Sequence, residues 1–176
     1  LSSEEIARQA DIPEKRFEEI LQNSKQRLLN ARKARPKPGR DEKVLTAWNG
    51  LMMRSFAEAS SGLMRSDYRQ IAVKNAEFLL SALRPEGKLL RSYKDGRARF
   101  NAYLEDYACL IEGLISLYEA TFDLRWMCEA RELAGVMIEK FWDPNSKGFF
   151  FTSDDHEPLI HRPMDFYDNA TPSGNS

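Results

Sequence analysis

Residues 46–141 repeat themselves, and polar residues recur at the same place in each copy. Trp48-Asn49-Gly50 opens one apolar helical stretch and Asp106-Tyr107-Ala108 opens another, 58 positions later (106 − 48 = 58). The same shift lays Tyr68 on Trp126, Ala72 on Ala130, Ala76 on Ala134 and Leu83 on Phe141. A period of this size marks stacked supersecondary units, here helical hairpins, which bury their apolar faces only against neighbours. A polar cluster recurring at one end of each unit predicts that the clusters share one rim.

At 176 residues the chain is long enough to bury a real core. It is 42% apolar and 30% charged, as expected of a water-soluble globular protein. With a net charge of −1, it has no global attraction to nucleic acid or anionic membranes. No run approaches the ~20 apolar residues that span a bilayer. The chain starts at Leu1 without a signal peptide and stops at Ser176 in a run resembling the start of a helix. A piece of a longer protein is therefore expected. Cys109 and Cys128 fit neither a CxxC redox pair nor a zinc knuckle. Both are expected to be buried reduced thiols, which favours the cytoplasm or an organellar matrix over secretion; a disulfide between facing helices is the alternative.

Local signals place the elements. Ser2-Ser3-Glu4-Glu5 has the form of a capping box and starts a short helix to about Gln9. Pro13 suits the start of a second helix, to about Lys33, carrying Phe17, Ile20, Leu21, Ser24 and Leu28 on one face. Arg35-Pro36-Lys37-Pro38-Gly39-Arg40 breaks it. Thr46 is expected to cap a helix to about Ser61 that buries Trp48, Leu51, Met52, Phe56 and Ala59. Ser66-Asp67 caps another to about Leu83, with Tyr68, Ile71, Ala72, Asn75, Ala76 and Leu79 inward. Lys88–Tyr93 and Arg97–Asn101 read as strands about an Asp95-Gly96 turn. Helices follow over about 104–122 and 124–141, then a short strand at Phe149–Thr152 and a polar loop. The units are thus 1–45 (leading helices and Pro-rich linker), 46–103, 104–163, and 164–176 leading into a third hairpin.

Antiparallel helices with a short turn put the start of the first helix and the end of the second at one end of each hairpin. Three polar sets lead into first helices: Asp41-Glu42-Lys43 with Trp48-Asn49; Asn101 with Glu105-Asp106-Tyr107; and Asp165, Asp168, Asn169 with Ser173-Gly174-Asn175. If the hairpins close into a ring, these residues converge on one cleft. Carboxylates, amides and aromatics there suit a neutral hydroxyl-rich ligand such as a sugar.

Residues 35–52 (Arg35-Pro36-x-Pro-x-Arg40-Asp41-x-Lys43-Val44-Leu45-x-Ala47-Trp48-Asn49-Gly50-Leu51-Met52) resemble the signature of the family containing spermatogenesis-associated protein 20. Tyr103-Leu104-Glu105-Asp106-Tyr107-Ala108 and Pro172-Ser173-Gly174-Asn175-Ser176 match the same pattern in the same order. The resemblance implies an N-terminal thioredoxin-like domain followed by an α/α toroid similar to six-hairpin glycosidases and the N-acylglucosamine 2-epimerase fold. This chain would then be an all-α arc of about two hairpins, and its partners would be the missing hairpins and the thioredoxin-like domain. It implies a fold more firmly than a reaction.

Glycoside hydrolysis uses two carboxylates, about 5–5.5 Å apart for retention or about 6.5–9.5 Å for inversion. Asp41, Glu105, Asp106, Asp165 and Asp168 are the acids on the presumed rim. Asp106, at a helix start before an aromatic, is the first candidate for acid–base work, with Asp41 or Asp168 as its partner. The competing role for Asp106 is helix capping. Trp48, Asn49, Glu105, Tyr107 and Asn175 are the candidate ligand contacts, although the register of Trp48 with Leu51 and Met52 favours a place in the core. Epimerisation needs a proton abstracted and returned, usually by histidines. Here only His156 and His161 exist, in a loop and at a spacing poor for a metal. No metal and no cofactor is expected.

Two other classes compete. A degenerate toroid could act as an interaction or scaffold module. Residues 4–21 resemble a helix-turn-helix followed by basic residues, yet Glu14, Glu18 and Glu19 on the would-be recognition helix oppose DNA. An incomplete ring leaves apolar edges that favour self-association.

Overall fold

A computed structural model describes residues 2–176, with residues up to Asp41 and residues from Glu42 onward forming separate compact units. In the leading unit, α1 (Ser3–Gln9) carries the predicted capping box. Ser2 Oγ accepts from the Glu5 N–H at 3.1 Å, and the Glu5 carboxylate accepts from the Ser2 N–H at 2.7 Å. Pro13 takes the N-cap of α2 (Glu14–Lys33), whose predicted apolar face is only half-covered within this unit. Ile20 and Leu28 stay exposed there.

The second unit begins with β1 (Val44–Leu45), followed by α3 (Thr46–Gly62) and α4 (Ser66–Ala82). Strands β2 (Leu90–Lys94) and β3 (Arg97–Asn101) come next, then α5 (Leu104–Thr121) and α6 (Leu124–Phe141). It closes with β4 (Trp142–Asp143) and β5 (Gly148–Phe149). The repeat is written into the helix boundaries: α5 starts 58 residues after α3 (104 − 46) and α6 58 after α4 (124 − 66). Each hairpin of helices is followed by a small antiparallel β-hairpin. β1 adds a third strand, pairing Val44 with Tyr93 and Leu45 with Ser92. The sequence missed β1, because two residues carry no alternation to detect. The second β-hairpin is likewise shorter than the predicted Phe149–Thr152 strand and turns through 144–147.

Helices α3 and α5 lie side by side and run in the same direction. Contacts advance together along both: Ala47 bonds Asp106, Gly50 meets Cys109, and Arg54 pairs with Glu112, its own 58-residue equivalent. Glycine permits this closeness. A Cβ on Gly50 would lie 2.5 Å from the Cys109 carbonyl oxygen, and one on Gly113 would lie 2.7 Å from the Gly50 carbonyl oxygen. Backbone cannot yield as a flexible side chain can.

This close packing corrects the predicted face of α3. Thr46, Ala47, Gly50, Met53, Ala57 and Ser60 are buried, whereas Met52 is exposed, Leu51, Phe56 and Ala59 are half-covered, and Trp48 is 63% exposed. Hydrophobicity counts large side chains, but two backbones in contact select small ones. Thr46 is not a cap either, since its hydroxyl donates to the Leu90 carbonyl at 2.7 Å. On α4, Ala72, Ala76 and Leu79 are buried as predicted, while Ile71 faces out. The core joins these to Leu83, Leu104, Tyr107, Leu110, Leu114, Leu117, Trp126, Leu133 and Phe141. Arg84, its side chain 8% exposed, ties the end of α4 to α6 through Glu129 (2.6 Å) and Glu132 (2.5 Å). Both cysteines are free, but only Cys109 is buried; Cys128 is exposed on α6.

No helix among the described residues is long and apolar enough to cross a membrane.

Replacing Gly50 or Gly113 by Ala is expected to destabilise the chain by roughly 1–3 kcal/mol or more. Gly135→Ala, on the open face of α6 where an added Cβ meets nothing within 4 Å, is expected to stabilise by roughly 0.5–1 kcal/mol. Urea unfolding of the three variants checks this, and equal behaviour would rule out the α3–α5 backbone contact.

Candidate functional site

Within the second unit, Asn49, Asp106 and the 165–175 loop lie at the end where α3 and α5 begin. Asp106 is the third residue of α5 and is wholly buried (0% exposed). Its Oδ1 accepts from the Ala47 N–H at 2.9 Å, in the first turn of α3. Its Oδ2 accepts from the Tyr103 N–H at 2.9 Å and from Arg91 Nη1 at 3.3 Å. Burial pushes the carboxyl up to about 6, against the opposing pull of the Tyr103 N–H, Arg91 and the Ala47 N–H. With both oxygens engaged and no solvent contact, Asp106 serves as a joint between hairpins. That placement favours the capping role over the acid–base role.

Glu105, one residue earlier, points another way. It accepts from Arg91 Nη1 at 2.7 Å, and it lines a cavity of about 250 Å³. Leu104 and Phe151 form the cavity's apolar wall, and Asp165, Tyr167, Asn169, Ser173, Gly174 and Asn175 form the loop wall. The loop is fastened to the helix start: a Cβ on Gly174 would meet Leu104 at 2.6 Å and the Glu105 nitrogen at 3.2 Å. The Leu104 N–H donates to the Phe151 carbonyl at 3.0 Å. Tyr103 stacks on Phe151 with ring centres 4.8 Å apart.

The other candidates have different placements. Asn175 lines the cavity, but its amide is committed to backbone: it accepts from the Phe149 N–H (2.8 Å) and donates to the carbonyls of Phe149 (3.0 Å) and Asp165 (2.9 Å). Asn49 donates to the Leu45 carbonyl at 2.8 Å, closing the first turn of α3. Asp168 is exposed and shapes its loop by accepting from the Ser173 N–H (2.8 Å) and the Ser176 hydroxyl (2.6 Å). The Ser176 hydroxyl and the Ser173 N–H hold its carboxyl below the usual range. Tyr107 is buried edge-on to Phe141 at 5.2 Å and borders a separate cavity with Leu89, Asn101 and Lys140. Asp41 is an exposed residue at the end of the leading unit. Trp48, expected in the core, stands exposed in the first turn of α3, at the end where the acids gather. His156 lies 5.8 Å from the Tyr103 ring and His161 is exposed; neither lines the cavity. Among the described residues no group of acids, histidines and cysteines is arranged to hold a metal.

Sequence reasoning overlooked Arg91, the centre of the site's charge. Its only signal was an arginine in the middle of a short strand, with its partners 14 and 15 residues away.

No protein-family model matches the chain. Human spermatogenesis-associated protein 20 is 34% identical over 168 residues, covering 89% of this chain and 21% of its own length. An uncharacterized protein of Caenorhabditis elegans is 30% identical over the whole chain and 25% of its own length. The chain is homologous to part of spermatogenesis-associated protein 20. It spans about a fifth to a quarter of the length of these curated relatives. Among solved structures, cellobiose 2-epimerase from Spirochaeta thermophila aligns with a TM-score of 0.60 at 16% identity, over 70% of this chain and 32% of that one. The Bacillus thermoamylovorans cellobiose 2-epimerase aligns at 0.58 and 12%, over 63% and 32%. The fold is therefore an arc of an α/α toroid, as the repeat and the motifs predicted.

Asp106→Ala strands the N–H groups of Ala47 and Tyr103 and is expected to cost roughly 2–5 kcal/mol. The pH dependence runs in a defined direction. An unfolded Asp titrates near ~3.9, below its folded value of about 6. The folded chain thus binds this proton more tightly, and the group's stabilising contribution falls as pH rises from about 4 to about 6. Asp106→Asn should remove that slope, so its stability relative to wild type should improve over that window. Denaturant unfolding of both proteins at several pH values reads this directly.

Proposed function

We propose that this chain contributes to a carbohydrate-active or carbohydrate-binding α/α-toroid domain, with the ligand seated between the start of α5 and the 165–175 loop. The cavity itself carries the reading. Its wall combines the Glu105 and Asp165 carboxylates and the Asn169 amide with the aromatic side chains of Phe151 and Tyr167. Hydroxyls donate to the first group, and the C–H face of a sugar ring packs on the second. At about 250 Å³ it is slightly smaller than the ~300–1,000 Å³ of drug-sized ligand sites, which suits a single sugar ring. Support also comes from the fold, shared with enzymes described as cellobiose 2-epimerases.

The carboxylates remaining for chemistry are Glu105 and Asp165, since Asp106 is sealed in the core. A glycosidase-like reaction would draw on that pair. Exposed Trp48 offers a second platform for a sugar face at the same end of the bundle. A non-catalytic interaction module is the second reading, favoured by the exposure of Trp48 together with Met52 one turn later.

Titration calorimetry or ligand-observed NMR with glucose and cellobiose tests the proposal. Binding is expected, weakened about tenfold or more by Glu105→Gln, which removes a charge-assisted acceptor. Trp48→Ala should weaken it by a few-fold, the scale of one lost aromatic contact. Binding of neither sugar would leave the interaction-module reading.

A further inference from the structure

Arg91 is divided between two carboxylates of unlike standing. Its Nη1 lies 2.7 Å from Glu105 Oε1 at the cavity wall and 3.3 Å from Asp106 Oδ2 in the core. The guanidinium also lies over the Tyr103 ring, 4.5 Å from its centre, and that ring packs on Phe151 of the wall. These three contacts, two of them made by Nη1, fix the arginine beside Glu105. Arg91 itself is not among the residues lining the cavity, and among the described residues that do line it there are two acids, Glu105 and Asp165, and no lysine or arginine.

We propose that Arg91 is the positioning residue of this cavity: it fixes the Glu105 side chain as an acceptor at the wall, stays out of the lining itself, and thereby makes the site take uncharged sugars and reject phosphorylated ones. The inference rests on reading the cavity as a sugar site. Arg91 engages one oxygen of Glu105 and orients the carboxylate toward a ligand hydroxyl. A phosphate in the same place would face Glu105 and Asp165 with no lysine or arginine in the lining, and like charges at short range repel. The contacts with Glu105, Asp106 and the Tyr103 ring keep Arg91 from serving a phosphate, a group that guanidinium binds well. Selectivity is thus set by where the arginine is pinned.

The test measures glucose and glucose 6-phosphate affinities for the chain by titration calorimetry. Wild type is expected to bind glucose and to bind glucose 6-phosphate at least about tenfold more weakly. Arg91→Met should lower glucose affinity about tenfold, and Arg91→Lys, which keeps a cation for both carboxylates, should restore most of it. Glu105→Gln frees one contact of Arg91 and should shrink the preference against glucose 6-phosphate several-fold. Thermal unfolding monitors each variant, and Glu105→Gln keeps the test open should Arg91→Met fail to fold. Equal wild-type affinities for the two sugars, or an unchanged ratio in Glu105→Gln, would overturn the assignment while leaving the sugar site standing. Binding of neither sugar by wild type would remove the sugar site itself, and this inference with it.

Discussion

A buried carboxylate holds the second unit together. Asp106 satisfies an N–H at its own helix start and another in the first turn of the neighbouring hairpin, at 2.9 Å each. Helix starts leave such N–H groups without partners in the chain, and most proteins cap each helix separately. Here one side chain caps two helices and so sets their relative height. The glycine contact farther along then brings α3 and α5 together until backbone meets backbone. Each interaction relies on the other: the carboxylate fixes the register that lets Gly50 and Gly113 meet, and their closeness seals the carboxylate from water.

The cavity's chemistry follows from this division of labour. Adjacent acids on one helix turn point in different directions, so Asp106 enters the core while Glu105 faces outward. Arg91 connects the two and compensates the charge of both. A similar economy governs the loop opposite. Asn175 mimics a strand by bonding both backbone groups of Phe149, and Asp168 ties down Ser173 and Ser176. These residues build the wall; Asp165 also accepts from the Tyr167 N–H through Oδ1, which leaves its other oxygen, Glu105 and Asn169 to meet a ligand.

Most of the architecture was legible in the sequence. The 58-residue shift placed the helix starts, and Asp95-Gly96 placed a turn. The face of α3 was misread because its burial depends on Gly50, Ala57 and the hydroxyls of Thr46 and Ser60, residues that a count of apolar side chains passes over. The site was only partly legible. Glu105 lay in the right cluster, but nothing in one dimension distinguishes the acid that turns inward from the one that turns out. Tyr107 and Asn49 were in the right region yet spent on packing and on a helix turn. Arg91 could not be found by spacing at all, since its partners arrive by way of a β-hairpin and a helix start.

The parallel course of α3 and α5 has an electrostatic corollary. Peptide dipoles add along a helix to about half a positive charge at its first turn. Two first turns in contact therefore supply roughly one elementary charge beside the buried Asp106, whose oxygens accept from an N–H at each helix start. The sealed carboxylate is in this way partly neutralised by peptide groups that no substitution of a side chain can remove.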